Sequence, residues 1–280
     1  MMTIIKKSRR QKVWLIALAG AILLSFAISI KPENSRPLVS AHRGASRQAP
    51  ENTLAAFQLA MDMKADFVEV DIRTTSDGTQ VCLHDRSLKR TTGVDKPVKD
   101  QTIHDLQGLS AGQWFDQKFK KEKVPVLDEV CALVSQNNKA SAHYCRLYVD
   151  CKDIIATAVV KTLARYALLD SAVFYGDEET LLKIRKEHAA ARLMPSYPGA
   201  DKVRAIMLSL KPYAFDMAWR EITPERVTQC HAAGIRVFTD LLGEDDTKAN
   251  YEKAMDVNVD LIQTDDVAAV HEAMIQKRKH

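Results

Sequence analysis

From residue 37 to 280, short apolar runs alternate with longer amphipathic ones, and this alternation restricts the fold more than any other feature of the chain. Strand-like runs fall at 38–42, 67–71, 80–84, 146–150, 172–175, 192–195, 213–216, 235–239 and 260–264. Helix-like runs fall at 53–64, 127–136, 153–168, 178–188, 201–210, 224–233, 247–256 and 266–276. Repeated βα units imply a parallel sheet, and roughly 250 residues is the usual size of a closed eight-stranded (β/α) barrel. Nine strand candidates are one too many. The extra one is 80–84, which follows 67–71 with no helix between, only a short stretch containing Asp77-Gly78. Asp-Gly between two strand-like runs is a hairpin signal. Residues 80–84 therefore read as an antiparallel arm folded back on the second strand. The fold class is α/β, a (β/α)8 TIM barrel over 37–280. It carries a small insertion at about 86–126 with its own aromatics, Trp114, Phe115 and Phe119.

Ahead of the barrel, Lys6, Lys7, Arg9, Arg10 and Lys12 form a basic tail over 1–12, and Val13 to Ile30 is an uncharged run. A run of about 18 apolar residues after positive charges predicts a membrane anchor or a signal segment with the tail in the cytoplasm. Residues 31–36 are a linker. Either alternative puts the barrel on the extracytoplasmic side, membrane-anchored or secreted. Outside the tail, 35 basic residues face 36 acidic ones, so the body has no basic footprint for nucleic acid. The five cysteines, 82, 131, 145, 151 and 230, include no CxxC pair and are too spread for a disulfide scaffold, so most read as core residues.

In a barrel of this kind the chemistry gathers at the C-terminal ends of the strands. Those ends hold His42-Arg43, Glu69-x-Asp71, the hairpin's His84-Asp85, and Asp150-x-Lys152. Period-two alternation puts Glu69 with Asp71 on one face and Asp150 with Lys152 on one face. Folding the arm about Asp77-Gly78 brings His84 opposite roughly Asp71. A lone histidine at a strand end is ordinarily a hydrogen-bonded surface group, a lone Glu-x-Asp a solvated face, and Lys152 a partner for Asp150. All these readings would have to hold together, with carboxylates placed at the barrel's end and no cation to offset them, which is costly. Three carboxylates are hard oxygen ligands for one divalent cation, Mg²⁺ or Ca²⁺. Arg43 and Lys152 suit an anionic substrate, and two histidines without a serine or cysteine nucleophile suit general acid–base catalysis. Together they describe phosphodiester cleavage.

The residues that carry this chemistry lie in AHRGASRQAPENTLAAF (41–57), DFVEVDIRTTSDGTQVCLHD (66–85) and KRTTG (89–93), followed by GQWFDQKF (112–119) and VPVLDEV (124–130). From about residue 37 to 270 the chain resembles the glycerophosphodiester phosphodiesterases, within the phospholipase-C-like phosphodiesterase superfamily. The resemblance implies hydrolysis of glycerophosphodiesters to glycerol 3-phosphate and an alcohol. It also implies His42 and His84 as the acid–base pair, Arg43 and Lys152 on phosphate, and Glu69 and Asp71 as metal ligands. Two departures stand out. The family's third metal ligand is usually Glu in Glu-x-Lys, whereas here it is Asp150-Cys151-Lys152. The late motif with tryptophan before threonine reads Val237-Phe238-Thr239-Asp240, while the closing pair Thr264-Asp265 is kept. Alternative readings are lysophospholipase D or sphingomyelinase-D-like cleavage of a lysolipid phosphodiester, with membrane contact through 13–30, and an inactive phosphodiester-binding barrel. A glycosidase is disfavoured by the cations beside the carboxylates. The oligomeric state is not legible.

Overall fold

The computed structural model describes residues 36–278. The segments 1–12 and 13–30 lie outside the described residues, and among the described residues no helix is long and apolar enough to cross a membrane. Among the described residues the nine strands are β1 (Leu38–Ala41), β2 (Phe67–Thr74), β3 (Gln80–Cys82), β4 (Arg146–Cys151), β5 (Val173–Tyr175), β6 (Arg192–Met194), β7 (Ala214–Asp216), β8 (Arg236–Leu241) and β9 (Leu261–Thr264). Eight of them run parallel in the order β6-β5-β4-β2-β1-β9-β8-β7, and β3 pairs antiparallel with β2 as the hairpin arm. The β6–β7 seam is drawn together just beyond the strands: Tyr213 N donates to Leu193 O at 2.8 Å and Tyr197 N to Asp216 O at 2.7 Å. The barrel is thus nearly closed, as the βα period predicts.

Eight helices form the outer layer: α1 (Leu54–Asp62), α4 (Leu127–Ala140), α5 (Ala156–Arg165), α6 (Glu178–Glu187), α7 (Val203–Ser209), α8 (Pro224–Ala232), α9 (Lys248–Asp256) and α10 (Val267–Lys277). The numbers between them belong to two short helices of the insertion, α2 (Lys89–Thr92) and α3 (Ile103–Gln107). Local chemistry sets the helix starts. Thr53, Asp177, Thr223, Thr247 and Asp266 each accept a backbone N–H of the first turn, and Pro224 opens α8 where its missing N–H costs nothing.

The strands sort their side chains by parity. In β2, Val68, Val70 and Ile72 enter the layer beneath the helices, while Phe67, Glu69 and Asp71 turn into the barrel. Each buried aliphatic side chain contributes about 1.5–3 kcal/mol, so a slip of one residue, which would drive Glu69 and Asp71 into that apolar layer, is strongly disfavoured. The floor of the barrel is filled by Phe67, Tyr148, Val173, Met194, Phe238 and Leu261, leaving the polar groups above it at the C-terminal mouth. All five cysteines are free thiols in buried positions, and Cys82 and Cys151 face the strand–helix layer as their alternation with site residues predicts. Burial raises the Cys145 thiol to about 12.

The hairpin register differs by one residue from the expected one. Thr75 and Thr79 close the loop, with Gly78 at φ +81°, so Leu83 rather than His84 faces Asp71 and donates its N–H to Asp71 O at 3.0 Å. The insertion builds a small core of its own around Val81, Leu88, Val98 and Leu106. Trp114 stands exposed on it, its Nε1 donating to Ala111 O.

Candidate active site

The loop after β1 is tightly constrained. Arg43 and Asn52 both hold left-handed φ values, 56° and 55°, which for non-glycine residues persist only where surrounding contacts enforce them. Here Asn52 N donates to Arg43 O at 3.0 Å, and Arg43 N donates to Glu69 Oε2 at 2.7 Å. Gly44, at φ +82°, lies so close to α1 that a Cβ would sit 2.7 Å from the backbone carbon of Ala56. The His-Arg-Gly sequence is therefore a device for folding the loop tightly over the strand ends.

Under this loop Glu69, Asp71 and Asp150 each present a carboxylate oxygen within 4.8 Å of the others. Glu69 and Asp71 are buried. Asn52 clamps Asp71 from two directions: its Nδ2 donates to Asp71 Oδ2 at 2.7 Å, and its Oδ1 accepts from Asp71 N at 3.2 Å. Lys152 Nζ bridges Asp150 at 2.5 Å and Asp71 at 3.2 Å. Burial, reinforced by the charges of Asp71 and Asp150, pushes the Glu69 carboxyl well above the usual carboxylate range, and burial also raises Asp150 despite the Lys152 ammonium. Burial opposes the Lys152 charge, but Asp71 and Asp150 outweigh it and raise its pKa. Three converging carboxylates destabilise one another without a cation, and a set of hard oxygen donors of this kind fits a divalent Mg²⁺- or Ca²⁺-type ion. Asp150 takes its place in this cluster beside Lys152 although its side chain is one methylene shorter than the expected glutamate.

Each histidine is held by a carboxylate at Nδ1. His42 Nδ1 lies 2.8 Å from Asp265 Oδ1, and His84 Nδ1 lies 2.7 Å from Asp85 Oδ1. A carboxylate only accepts, so Nδ1 carries the proton in both rings and Nε2 is the atom left for proton transfer. The supports are themselves anchored. Asp265 N donates to Asp246 Oδ2 at 3.1 Å, and Asp246 also accepts from Tyr251 and Thr264 hydroxyls at 2.5 and 2.6 Å. The Arg90 guanidinium holds the Asp85 carboxyl far below the usual range. Arg43 Nη1 donates to Glu51 at 2.9 Å, while its Nε lies 3.5 Å from Asp71 Oδ2, buried and without a hydrogen bond.

All seven residues singled out in the sequence meet at this mouth. Of the supporting residues, Asp85 is read at the hairpin's end and Asp265 in the closing Thr264-Asp265 pair, neither with a role, while Glu51, Asn52 and Arg90 fall inside the Pro-Glu-Asn-Thr and Lys-Arg-Thr-Thr-Gly motifs. Asp216 and Asp240, on the opposite wall, did carry a signal: each is an acid at or near the C-terminal end of an apolar strand. Phe238 lies on the barrel floor, edge-to-face with Phe67 at 6.2 Å, and so packs the interior below the mouth. His104, His143, His188, His231 and His271 lie outside the site's hydrogen-bond network, and His280 lies outside the described residues.

A parallel barrel whose mouth joins a carboxylate trio, two cations and two carboxylate-anchored histidines defines a barrel-type phosphodiester hydrolase. The model of the glycerophosphoryl diester phosphodiesterase family matches residues 42–269. A glycerophosphodiester phosphodiesterase of Caldanaerobacter subterraneus subsp. tengcongensis is 30% identical over 233 residues, covering 82% of this chain and 95% of that relative. The crystal structure of a glycerophosphodiester phosphodiesterase from Agrobacterium tumefaciens superposes with a TM-score of 0.76 at 25% identity, covering 84% of this chain and 99% of the other. An Oleispira antarctica phosphodiesterase, solved in complex with the product sn-glycerol-3-phosphate, shares the fold with a TM-score of 0.76 at 24% identity, over 86% of this chain and 97% of its own. The chain belongs to the glycerophosphoryl diester phosphodiesterase family and is a phosphoric diester hydrolase.

Proposed function

We propose that the protein hydrolyses glycerophosphodiesters to glycerol 3-phosphate and an alcohol, with one divalent cation held by Glu69, Asp71 and Asp150. The observation that carries this reading is the pair of histidines, each fixed at Nδ1 by its own aspartate beside the carboxylate trio. When bound, the cation supplies Lewis-acid stabilisation of charge on the phosphoryl oxygens. Arg43 and Lys152 bind and orient the phosphate; the buried Arg43 Nε, which makes no hydrogen bond, is a donor suited to an anionic ligand. Either water attacks phosphorus directly, or the substrate's own glycerol 2-hydroxyl attacks first to give a cyclic phosphate that water then opens to glycerol 3-phosphate; in both cases the Nε2 of one histidine takes the nucleophile's proton. As the P–O bond to the alcohol breaks, the Nε2 of the other histidine gives that oxygen a proton. We assign His42 as base and His84, on the arm, as acid. Asp265 and Asp85 stabilise the imidazolium in turn. The product bound to the Oleispira relative supports this substrate class. The proposal places the barrel outside the cytoplasm, with 13–30 as anchor or signal, which fractionation of the expressing cell tests.

The deciding experiment compares His42→Ala and His84→Ala on a natural glycerophosphodiester and on an ester with a much better leaving group, with Mg²⁺, with Ca²⁺ and with EDTA. Each variant should lose about 10²–10⁴-fold on the natural ester. The His84 variant should recover on the activated ester and the His42 variant should not; equal recovery refutes the assignment. Full activity in EDTA refutes the cation.

A further inference from the structure

Across the mouth from the carboxylate trio stand two more acids that the proposed hydrolysis does not use. Asp216 ends β7 and Asp240 lies one residue before the end of β8. Alternation fixes where they point. Phe215, Val237 and Leu241 belong to the layer under the helices, and Ala214 and Phe238 to the barrel interior, so Asp216 and Asp240 turn inward above the floor. In the strand order, β7 and β8 lie on the far side of the barrel from β2 and β4. The charges that act most strongly on Asp240 are groups of the mouth: Asp216, Asp150, Lys152 and Asp265.

Asp240 Oδ1 is shut off from solvent and receives no hydrogen bond. A buried carboxylate oxygen without a donor is an expensive arrangement, retained where a ligand supplies the donor. The protein's nearest cation does not supply it, because Lys152 Nζ is engaged by Asp150 and Asp71. Beside Asp216 stands the Tyr175 hydroxyl, which also pairs with Ser196 Oγ at 3.0 Å. A ligand that completes this wall must bring N–H or O–H donors, and it must offset two neighbouring carboxylates. A neutral polyol meets the first requirement and not the second. A quaternary ammonium brings charge but no donor, and is held best by aromatic faces. A primary ammonium meets both, with three N–H donors on a compact charge.

We propose that Asp240 and Asp216 form a subsite for the alcohol portion of the substrate and select phosphodiesters whose alcohol carries a primary ammonium group. The inference rests on the hydrolase reading above. It is tested by measuring kcat/KM on glycerophosphoethanolamine, glycerophosphocholine and glycerophosphoglycerol for the wild-type protein, Asp240→Asn and Asp216→Asn. A charge-assisted hydrogen bond supports a preference of about ten-fold or more for the ethanolamine ester. In either Asn variant the ratio of ethanolamine ester to glycerol ester should fall towards one, chiefly through KM. The wild-type ratios stand even if a variant fails to fold. Equal turnover of all three esters overturns the subsite and leaves the hydrolase reading intact. Equal turnover of the choline and ethanolamine esters overturns the requirement for N–H donors. No turnover of any ester, with either cation, refutes the hydrolase reading and the subsite with it.

Discussion

Asn52 is the residue whose replacement tests the construction of the site most directly. Its side chain is buried, donates to the Asp71 carboxylate at 2.7 Å and accepts from the Asp71 backbone at 3.2 Å. Its φ of 55° is one that asparagine adopts more readily than alanine. Asn52→Ala removes a hydrogen bond to a charged group, worth about 1.5–3 kcal/mol, and a neutral one worth about 0.5–1.5 kcal/mol. Left-handed alanine adds about 1 kcal/mol of strain. The metal-free variant should therefore be about 3–5.5 kcal/mol less stable in denaturant unfolding, a large part of the roughly 5–15 kcal/mol that holds a domain together. Because Asn52 orients one of the three carboxylates, affinity for Mg²⁺ or Ca²⁺ in titration calorimetry should fall about 10–100-fold. Asn52→Gly separates the two contributions: it relieves the backbone and should regain about 1 kcal/mol of stability without regaining metal affinity. An alanine variant within 1 kcal/mol of wild type, with metal affinity unchanged, would refute the clamp. Equal stability of the Ala and Gly variants would refute the backbone part alone.

Three further outcomes follow from the same geometry. Asp265→Ala leaves the ring of His42 without its acceptor, so turnover of a glycerophosphodiester should drop about 10-fold or more while metal affinity stays unchanged; unchanged turnover would remove Asp265 from the positioning of His42. Arg90→Ala should lower kcat while leaving metal affinity intact, because it frees Asp85 and with it His84; a variant whose only defect is weaker metal binding would contradict this. Asp216 is raised to about 6 by burial and then by Asp150, so the folded state binds its proton more tightly than the unfolded chain. That contribution is complete below the ordinary aspartate range and is lost as pH rises through about 4 to 6. Relative to wild type, metal-free Asp216→Asn should therefore gain at most about 3 kcal/mol of unfolding free energy between pH 4 and pH 7. Parallel pH profiles of the two proteins would refute it.

The barrel was legible in the sequence because both its periods are strong: strands apolar on one face at least, helices amphipathic, and one Asp-Gly where a helix is missing. That the seven candidate residues would gather at one mouth was legible because strand ends are where such a barrel does chemistry. What supports them was not. His42 meets Asp265 across 223 positions, and Asp71 meets Asn52 across 19, so neither pairing leaves a mark in any local window. The hairpin register missed by one because Asp-Gly marks a turn without fixing which residues close it, and Thr75 with Thr79 closes it here. The two short helices of the insertion, 89–92 and 103–107, are too brief to show a period at all.

The insertion raises a problem that the rest of the barrel does not have. His42, the trio and Lys152 are placed by strands or strand ends packed on both faces, but His84 arrives on a short antiparallel arm. A continuous run of charge-assisted contacts ties it to the barrel. Arg43 reaches Glu51 at 2.9 Å, Glu51 receives Arg90 at 2.6 and 2.7 Å, Arg90 Nε reaches Asp85 at 2.7 Å, and Asp85 holds His84 at 2.7 Å. On the other side Arg73 Nε donates to the His84 carbonyl at 2.8 Å and its Nη1 to Asp153 at 2.7 Å. Isolated surface pairs of this kind contribute little, but Glu51 is largely buried and every group in the run is shared by two partners, which gives geometry rather than bulk stability. The same Arg43 whose backbone N–H holds Glu69 thus also begins the chain that positions His84. Arg43, Glu69, Asp71 and the arm's histidine are in this way set by one loop, and that loop is the strained segment His42-Arg43-Gly44 through Asn52.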